Sequence, residues 1–138
     1  MKTLLMTALL VFTASKVFAM ESLSDLEWKN RIVIIVGDAA DEKVARQSEL
    51  LAGHKVELAD RDMVIIHLSR GEARTLYGPA ADRDAGAIRS DLEVDGNDFH
   101  VFLIGKDGTV KLMRDDLVSD TEIFGLIDAM PMRRAEKG

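Results

Sequence analysis

Runs of aliphatic residues separated by a helical pattern organise the first half of the chain. Five β-branched residues follow Arg31, at positions 32–36, and Gly37 ends the run. An apolar run without alternation predicts a strand that is covered on both faces, at the centre of a parallel or mixed sheet. Residues 63–68 predict a second strand. Between the two, apolar residues recur every seven positions, so we expect a helix and a parallel βαβ unit, on the pattern of Val44, Leu51 and Leu58.

Polar residues mark where this helix begins and where it is interrupted. Asp38 or Asp41 should cap its N-terminus, because a short carboxylate accepts the free amide hydrogens of the first turn. Gly53 is expected to divide the helix into two pieces. The segment Ser69–Arg83, which contains two glycines and a proline, is expected to be a mobile loop.

The second half of the chain predicts a helix and then a hairpin. Apolar residues at helical spacing begin at Ala85 and predict a short helix that ends near Asp95-Gly96. Two apolar runs, 99–104 and 109–113, flank Lys106-Asp107-Gly108. Asp-Gly between two such runs favours a hairpin with a type I′ turn, in which both central residues have positive φ.

A capping box predicts the last helix. Ser119 should cap it and Glu122 should reach back to Ser119, and Pro131 should stop it. The element order is therefore β-α-β-α-β-β-α. We expect an α/β fold, a three-layer sandwich around a mixed central sheet of about four strands. The last helix has a broad apolar face made of Ile123, Phe124, Leu126, Ile127 and Met130.

The N-terminus has the pattern of a signal peptide. Lys2 precedes an apolar run, and the triplet Val17-Phe18-Ala19 fits a cleavage site after Ala19. The uninterrupted apolar stretch is far shorter than the roughly 20 residues of a spanning helix, and Lys16 interrupts it. We therefore expect a signal peptide at 1–19, one domain at 20–138, no membrane span after cleavage, and export to the periplasm or the medium.

Composition narrows the range of functions. Of 138 residues, 18 are basic and 24 acidic. Loss of 1–19 removes two lysines and no acid, which leaves 16 basic and 24 acidic residues and a formal charge of −8. This charge argues against a nucleic-acid partner, which requires a basic face. The chain has no cysteine, so disulfides, cysteine–zinc sites, iron–sulfur clusters and thiol redox chemistry are excluded.

Motifs for cofactors are incomplete. Gly105-Lys106 is not a phosphate-binding loop, because His100 stands where that loop needs a glycine. Asp91–Gly96 matches only the first half of a calcium loop, whose twelfth position is Phe102 instead of a glutamate. The three histidines, at positions 54, 67 and 100, do not share a sequence motif. We expect no cofactor and no metal.

Several segments together resemble a known family. They are Trp28-Lys29-Asn30-Arg31, Gln47, Arg61-Asp62, Phe99, Leu103-Ile104-Gly105-Lys106-Asp107-Gly108, Lys111-Leu112 and Ile127-Asp128-Ala129-Met130-Pro131-Met132-Arg133-Arg134. With the element order, these residues resemble the P-DUDES family, whose thioredoxin-like domains occur in small exported bacterial proteins and in vertebrate extracellular sushi-repeat-containing proteins. The resemblance implies a thioredoxin-like fold. It implies no activity, because the family has no settled biochemical role.

The sequence departs from active thioredoxin-like enzymes in two places. Such enzymes carry a cysteine pair between the first strand and the following helix, where this chain has Gly37-Asp38-Ala39-Ala40-Asp41. The proline that usually precedes the third strand is also missing, since the segment here is Asp95-Gly96-Asn97-Asp98-Phe99. We therefore expect a non-catalytic domain.

Charged residues give the candidate contacts. Arg31, Arg61, Asp62, Asp38 and Asp128 would form a cluster at the ends of the sheet. The cluster is either a set of surface ion pairs or an anion or peptide site beside Gly37–Asp41 with Arg31 or Arg61 as the ligand.

The tail is a further candidate contact. It combines adaptable methionines with cations, at Met132 and Arg133. The alternative is that it closes the core and then frays.

Three hypotheses for the function remain open. The first is an exported module that binds a protein or peptide through the loops Gly37–Asp41 and Ser69–Asp84. The second is a metal-assisted or hydrolytic enzyme that uses Asp38, Asp41 and a histidine. The third is a purely structural component of the cell envelope.

Overall fold

The computed structural model describes residues 21–79 and 81–137. Within these ranges the chain forms a short 3-10 turn, five strands and five helices. The strands are β1 Arg31–Val36, β2 Met63–Leu68, β3 Ala73–Tyr77, β4 His100–Ile104 and β5 Val110–Arg114. The helices are α1 Glu42–Ala52, α2 Lys55–Asp60, α3 Ala85–Leu92, α4 Asp120–Asp128 and α5 Pro131–Lys137. The predicted signal peptide lies outside the described residues.

The aliphatic strand β1 is the centre of one mixed sheet with the order β3-β2-β1-β4-β5. It pairs in parallel with β2 and antiparallel with β4, and every residue of β1 is buried. β2–β3 and β4–β5 are antiparallel. These pairings confirm the predicted central strand and the C-terminal hairpin. They also confirm the parallel β-α-β unit, in which α1 and α2 connect β1 to β2.

Helices cover both faces of the sheet. Ile32 and Ile34 of β1 point to a core that includes Ala85 and Ile88 of α3. Val33 and Ile35 of β1 point to the opposite core. This core also receives buried side chains from α1, α2 and α4, namely Val44, Leu51, Leu58, Ile123, Phe124 and Ile127. This two-sided burial explains the unbroken apolar sequence of β1.

The prediction of a loop at Ser69–Arg83 is wrong over β3, and the sheet has five strands instead of about four. β3 pairs with β2 through contacts such as His67 opposite Arg74. Its outer edge is partly covered by the chain that follows, because Arg83 N–H donates to the Ala73 carbonyl at 3.2 Å and Thr75 N–H donates to the Asp82 carboxylate at 3.2 Å. The residues after β3 therefore protect the open edge of this strand from pairing with another chain.

The hairpin between β4 and β5 forms with a different turn from the predicted type I′. Of its residues only Gly108 has positive φ, at 78°. Gly108 N–H donates to the Gly105 carbonyl at 3.0 Å, and the Asp107 carboxylate accepts from Thr109 N–H at 3.0 Å. Five residues separate the strands, so a turn followed by a left-handed glycine closes the hairpin.

The observed helix ends agree with the predicted ones except in two places. Asp41 caps α1 by accepting from Lys43 N–H at 2.9 Å, and Ser119 caps α4 by accepting from Glu122 N–H at 3.1 Å. Glu122 does not complete the capping box, since its side chain pairs with Arg114. Pro131 ends α4 as predicted but begins a further helix, α5, where a frayed end was one expectation. Gly53 separates α1 from α2, as expected.

No helix among the described residues is long and apolar enough to cross a membrane.

Candidate functional site

The seven candidate contact residues fall at opposite ends of β1. Arg31 opens this strand, and Arg61 and Asp62 precede its parallel neighbour β2. Asp38 and Asp41 follow the other end of β1. Because a strand of this length spans about 17–20 Å, the sequence-based hypothesis of an anion site that combines Arg31 or Arg61 with the Gly37–Asp41 loop is wrong.

Charged side chains gather at the first of these ends, which we call the charged corner. It comprises Arg31, Arg61, Lys106, Arg133, Asp60, Asp62, Asp128 and Glu136. The cations are buried: Arg31 is 0% exposed, Lys106 8% and Arg133 2%. Their carboxylate partners are more exposed, so the cations are held on the inside of each ion pair and the acids outside.

Arg31 and Lys106 share one carboxylate. The Arg31 guanidinium donates through Nη1 and Nη2 to the two Glu136 oxygens at 3.2 Å each, and Lys106 Nζ donates to Glu136 Oε1 at 2.6 Å. Arg31 also donates to the Arg61 carbonyl at 3.1 Å, and Lys106 to Asp62 at 2.8 Å. These bonds fasten α5 to the start of the central strand.

A second group of ion pairs fastens the junction of α4 and α5. Arg61 makes two hydrogen bonds to Asp128, at 3.0 and 2.9 Å. Arg133 donates to the same carboxylate at 3.3 Å, to the Asp60 carbonyl at 2.7 Å, and to the Asp60 carboxylate. The candidate Arg133 is therefore a buried structural residue, whereas its neighbour Met132 is 39% exposed.

Three acids of the charged corner, Glu136, Asp128 and Asp60, have lowered pKa values. Burial alone would raise the pKa of Glu136, but hydrogen bonds from Lys106 and Arg31 outweigh it and lower the pKa from 4.5 to about 2. The hydrogen bond from Arg61 is the main reason that the pKa of Asp128 is lowered. The one from Arg133 does the same for the pKa of Asp60. These carboxylates stay ionised in weak acid.

Acid should therefore loosen the charged corner. Since the pKa of Glu136 is lower in the folded state, its contribution to stability is complete above about pH 4.5 and is lost as the pH falls towards about 2. Urea unfolding across this window should show the wild type losing more stability than Glu136→Gln, which cannot titrate there. Equal losses in the two proteins would contradict the assignment, and Glu49→Gln, on an exposed position of α1, is the matched control.

A groove lies between α1 and β3, and none of the described residues that line it belongs to the charged corner. We call it the α1–β3 groove. Its volume is about 380 Å³, its floor is formed by Ile65 and His67 of β2, and small side chains of α1 form one wall. The described residues that line it are Ala39, Val44, Ala45, Ser48, Ala52, Lys55, Ile65, His67, Arg74, Leu76 and Tyr77.

The α1–β3 groove is basic although the protein is acidic. Lys55, His67 and Arg74 line it, and no aspartate or glutamate does in the part of the chain that the structure describes. Among the described residues neither Lys55 nor Arg74 forms an ion pair. His67 Nε2 is 2.8 Å from the Gly37 carbonyl oxygen; because a carbonyl only accepts, this nitrogen carries the hydrogen. Sequence analysis missed Arg74 because it placed β3 in a loop.

Asp38 and Asp41 have local structural roles. Asp38 accepts from Ala40 N–H at 3.0 Å, and Asp41 is the cap of α1. Asp41 and His100 line one open cavity, yet the His100 ring bonds to the Asp98 carbonyl at 3.0 Å. No three histidine or acidic side chains of the described residues lie close enough together to hold a metal ion. Nothing in this arrangement favours the hydrolytic hypothesis over the binding one.

Comparison with known proteins gives one match. A family model described as "Domain of unknown function (DUF4174)" matches residues 22–136, most of the chain. No curated protein and no solved structure matches. The matched range includes both the charged corner and the α1–β3 groove.

Proposed function

Because this chain belongs to the DUF4174 family, whose function is unknown, we propose from its own surface that it is an exported, non-catalytic thioredoxin-like domain that binds an acidic segment of a partner protein in the α1–β3 groove. The observation that carries this proposal is the groove itself, a basic, partly apolar cleft in an acidic protein.

The sheet supports the thioredoxin-like part of the proposal. The strands β2-β1-β4-β5 follow one another with one parallel and two antiparallel pairings, as expected for a thioredoxin-like sheet, and β3 is added at the β2 edge. On this basis we also retain the resemblance to the P-DUDES family as a proposal. The absence of cysteine removes the nucleophile of thiol–disulfide exchange, which leaves binding as the use of such a scaffold.

The two loops expected to make contacts flank the groove. Ala39 comes from the loop Gly37–Asp41, and Arg74, Leu76 and Tyr77 come from the segment after β2. A partner held between them would contact a helix on one side and an edge strand on the other. Ala45, Ser48 and Ala52 leave room on the helical side for the side chains of an extended segment.

Charge selects the partner. Lys55 and Arg74 offer donors that the described residues of this chain do not neutralise, so acidic side chains would gain ion pairs without displacing existing ones. Leu76, which is 38% exposed, and Ile65 supply the apolar contact that an acidic segment with small hydrophobic residues would cover. The formal charge of −6 disfavours nucleic acid as the polyanion.

A peptide-display selection tests the proposal. Short random peptides selected on the protein should be enriched in aspartate and glutamate, and Ala45→Trp, which fills the groove, should weaken their binding about tenfold or more. Arg74→Glu should weaken binding similarly by charge reversal.

Protein taken from the exported fraction should begin at Met20.

Matched variants separate the groove from general surface effects. Ala87→Trp changes an exposed alanine on α3, across the sheet, and Arg46→Glu changes an exposed arginine of α1 outside the groove. Both should bind selected peptides as the wild type does. Selection of no peptides, or binding that is insensitive to Ala45→Trp, would overturn the proposed function and favour a purely structural role in the envelope.

A further inference from the structure

Three segments that are distant in the sequence meet beside the charged corner and enclose a second cavity. Trp28 N–H donates to the Lys106 carbonyl at 2.6 Å, which ties the residues before β1 to the β4–β5 turn. The α4–α5 junction closes the other side. The cavity has a volume of about 270 Å³ and is lined by Arg31, Gly105, Lys106, Asp107, Lys111, Met130, Pro131 and Met132.

The lining combines cations with an adaptable apolar wall. Arg31, Lys106 and Lys111 line the cavity, and Asp107 is the one acid among the described residues of its lining. Opposite them, Met130 and Met132 offer flexible thioether side chains that adjust to the shape of a bound molecule. A ligand with a negative charge at one end and hydrocarbon at the other would match this lining.

The chain already demonstrates how this corner holds a carboxylate. Arg31 and Lys106 converge on Glu136, with the two-pronged Arg31 contact that suits carboxylate geometry. Both cations are at least nine-tenths buried, so they are fixed in place before any ligand arrives. Among the described residues Lys111 pairs only with Asp107, at 2.8 Å, and its side chain is 34% exposed, so it can turn towards a second anion.

Unusual backbone conformations support the same corner. Trp28 has φ 67° and Asp62 has φ 51°, and each is one of three non-glycine residues with positive φ among the described residues. Such conformations are strained for residues with a side chain, and they concentrate at ligand sites. The Trp28 side chain is 62% exposed, which places a large aromatic surface next to the turn that forms the cavity wall.

We propose that this cavity, which we call the Lys106 cavity, is a binding site for a small organic carboxylate with an apolar body. The carboxylate contacts the partly exposed ammonium group of Lys111, and the hydrocarbon part packs on Met130 and Met132. The site is separate from the α1–β3 groove and does not depend on the function proposed for the groove.

Methyl NMR of the intact protein tests this site with hexanoate as the probe. Titration should shift the ε-methyl signals of Met130 and Met132 in a saturable way, while the signal of Met63, buried in the core, stays in place. Hexanamide, which has the same hydrocarbon without the charge, should produce no saturable shift.

Two lysine variants locate the charge. Lys111→Gln should weaken hexanoate binding about fivefold, the loss expected for one partly exposed ion pair. Lys43→Gln also loses one lysine with an aspartate partner, Asp116, but lies outside the cavity and should bind as the wild type does. Absence of saturable shifts, equal binding of hexanamide, or an unchanged affinity in Lys111→Gln would each overturn the proposal.

Discussion

Replacing Arg31 with alanine is expected to lower the free energy of unfolding by about 3 kcal/mol. The side chain is fully buried and donates to Glu136 and to the Arg61 carbonyl. Its loss leaves that carbonyl and part of the carboxylate without their donor and opens a cavity at the start of β1. Lys106 keeps one bond to Glu136, which holds the estimate at the lower end of the range for a broken buried ion pair.

Urea denaturation of Arg31→Ala and of one surface variant measures this difference. Lys43→Ala removes an ion pair with Asp116 whose side chains are 49% and 70% exposed. Such a pair contributes about 0–1 kcal/mol. If Arg31→Ala cost no more than Lys43→Ala, the charged corner would contribute little to stability.

Replacing Gln47 with methionine is expected to lower the free energy of unfolding by about 2–6 kcal/mol. Gln47 is fully buried in α1, and its amide makes two bonds to one residue: Nε2 donates to the Val118 carbonyl and Oε1 accepts from Val118 N–H, both at 2.9 Å. Methionine has a similar volume but leaves both backbone groups of the buried Val118 unpaired. Each unpaired buried group costs about 1–3 kcal/mol.

Hydrogen exchange gives a local reading of the same change. The Val118 amide should exchange much faster in Gln47→Met, whereas Glu49→Met, at an exposed position two residues along α1, should change stability by no more than about 0.5 kcal/mol. A variant as stable as the wild type, with Val118 still protected, would show that another group satisfies this backbone.

The elements that the sequence predicts best are those whose side chains are all of one kind. Residues 32–36 are aliphatic without exception, and their burial on both faces follows directly. β3 escaped prediction because Ala73–Tyr77 mixes small, charged and aromatic residues between glycines. Its strand conformation comes from pairing with β2, a tertiary contact that local preference does not contain.

The contacts within the candidate sites were likewise predicted in part from the sequence and missed in part. Arg61 and Asp128 were expected in one cluster, and they form a two-bond ion pair. Glu136 was missed because 105 residues separate it from Arg31, and spacing in sequence carries no information about such a contact. For the α1–β3 groove, the sequence predicted only the two loops beside it. It did not predict the basic character of the groove, because Arg74 and Lys55 belong to different elements that the fold places in one lining.

The contact between Arg31 and Glu136 has a consequence during synthesis. The central strand β1 leaves the ribosome early. Its neighbour β4 begins only at His100, and Glu136, the partner of Arg31 at the start of β1, comes later still. β1 can pair with β2 once residue 68 has been made, but its β4 side and the Arg31 guanidinium lack their partners until residues 100–136 follow. We therefore expect the charged corner to close later during synthesis than the pairing of β1 with β2.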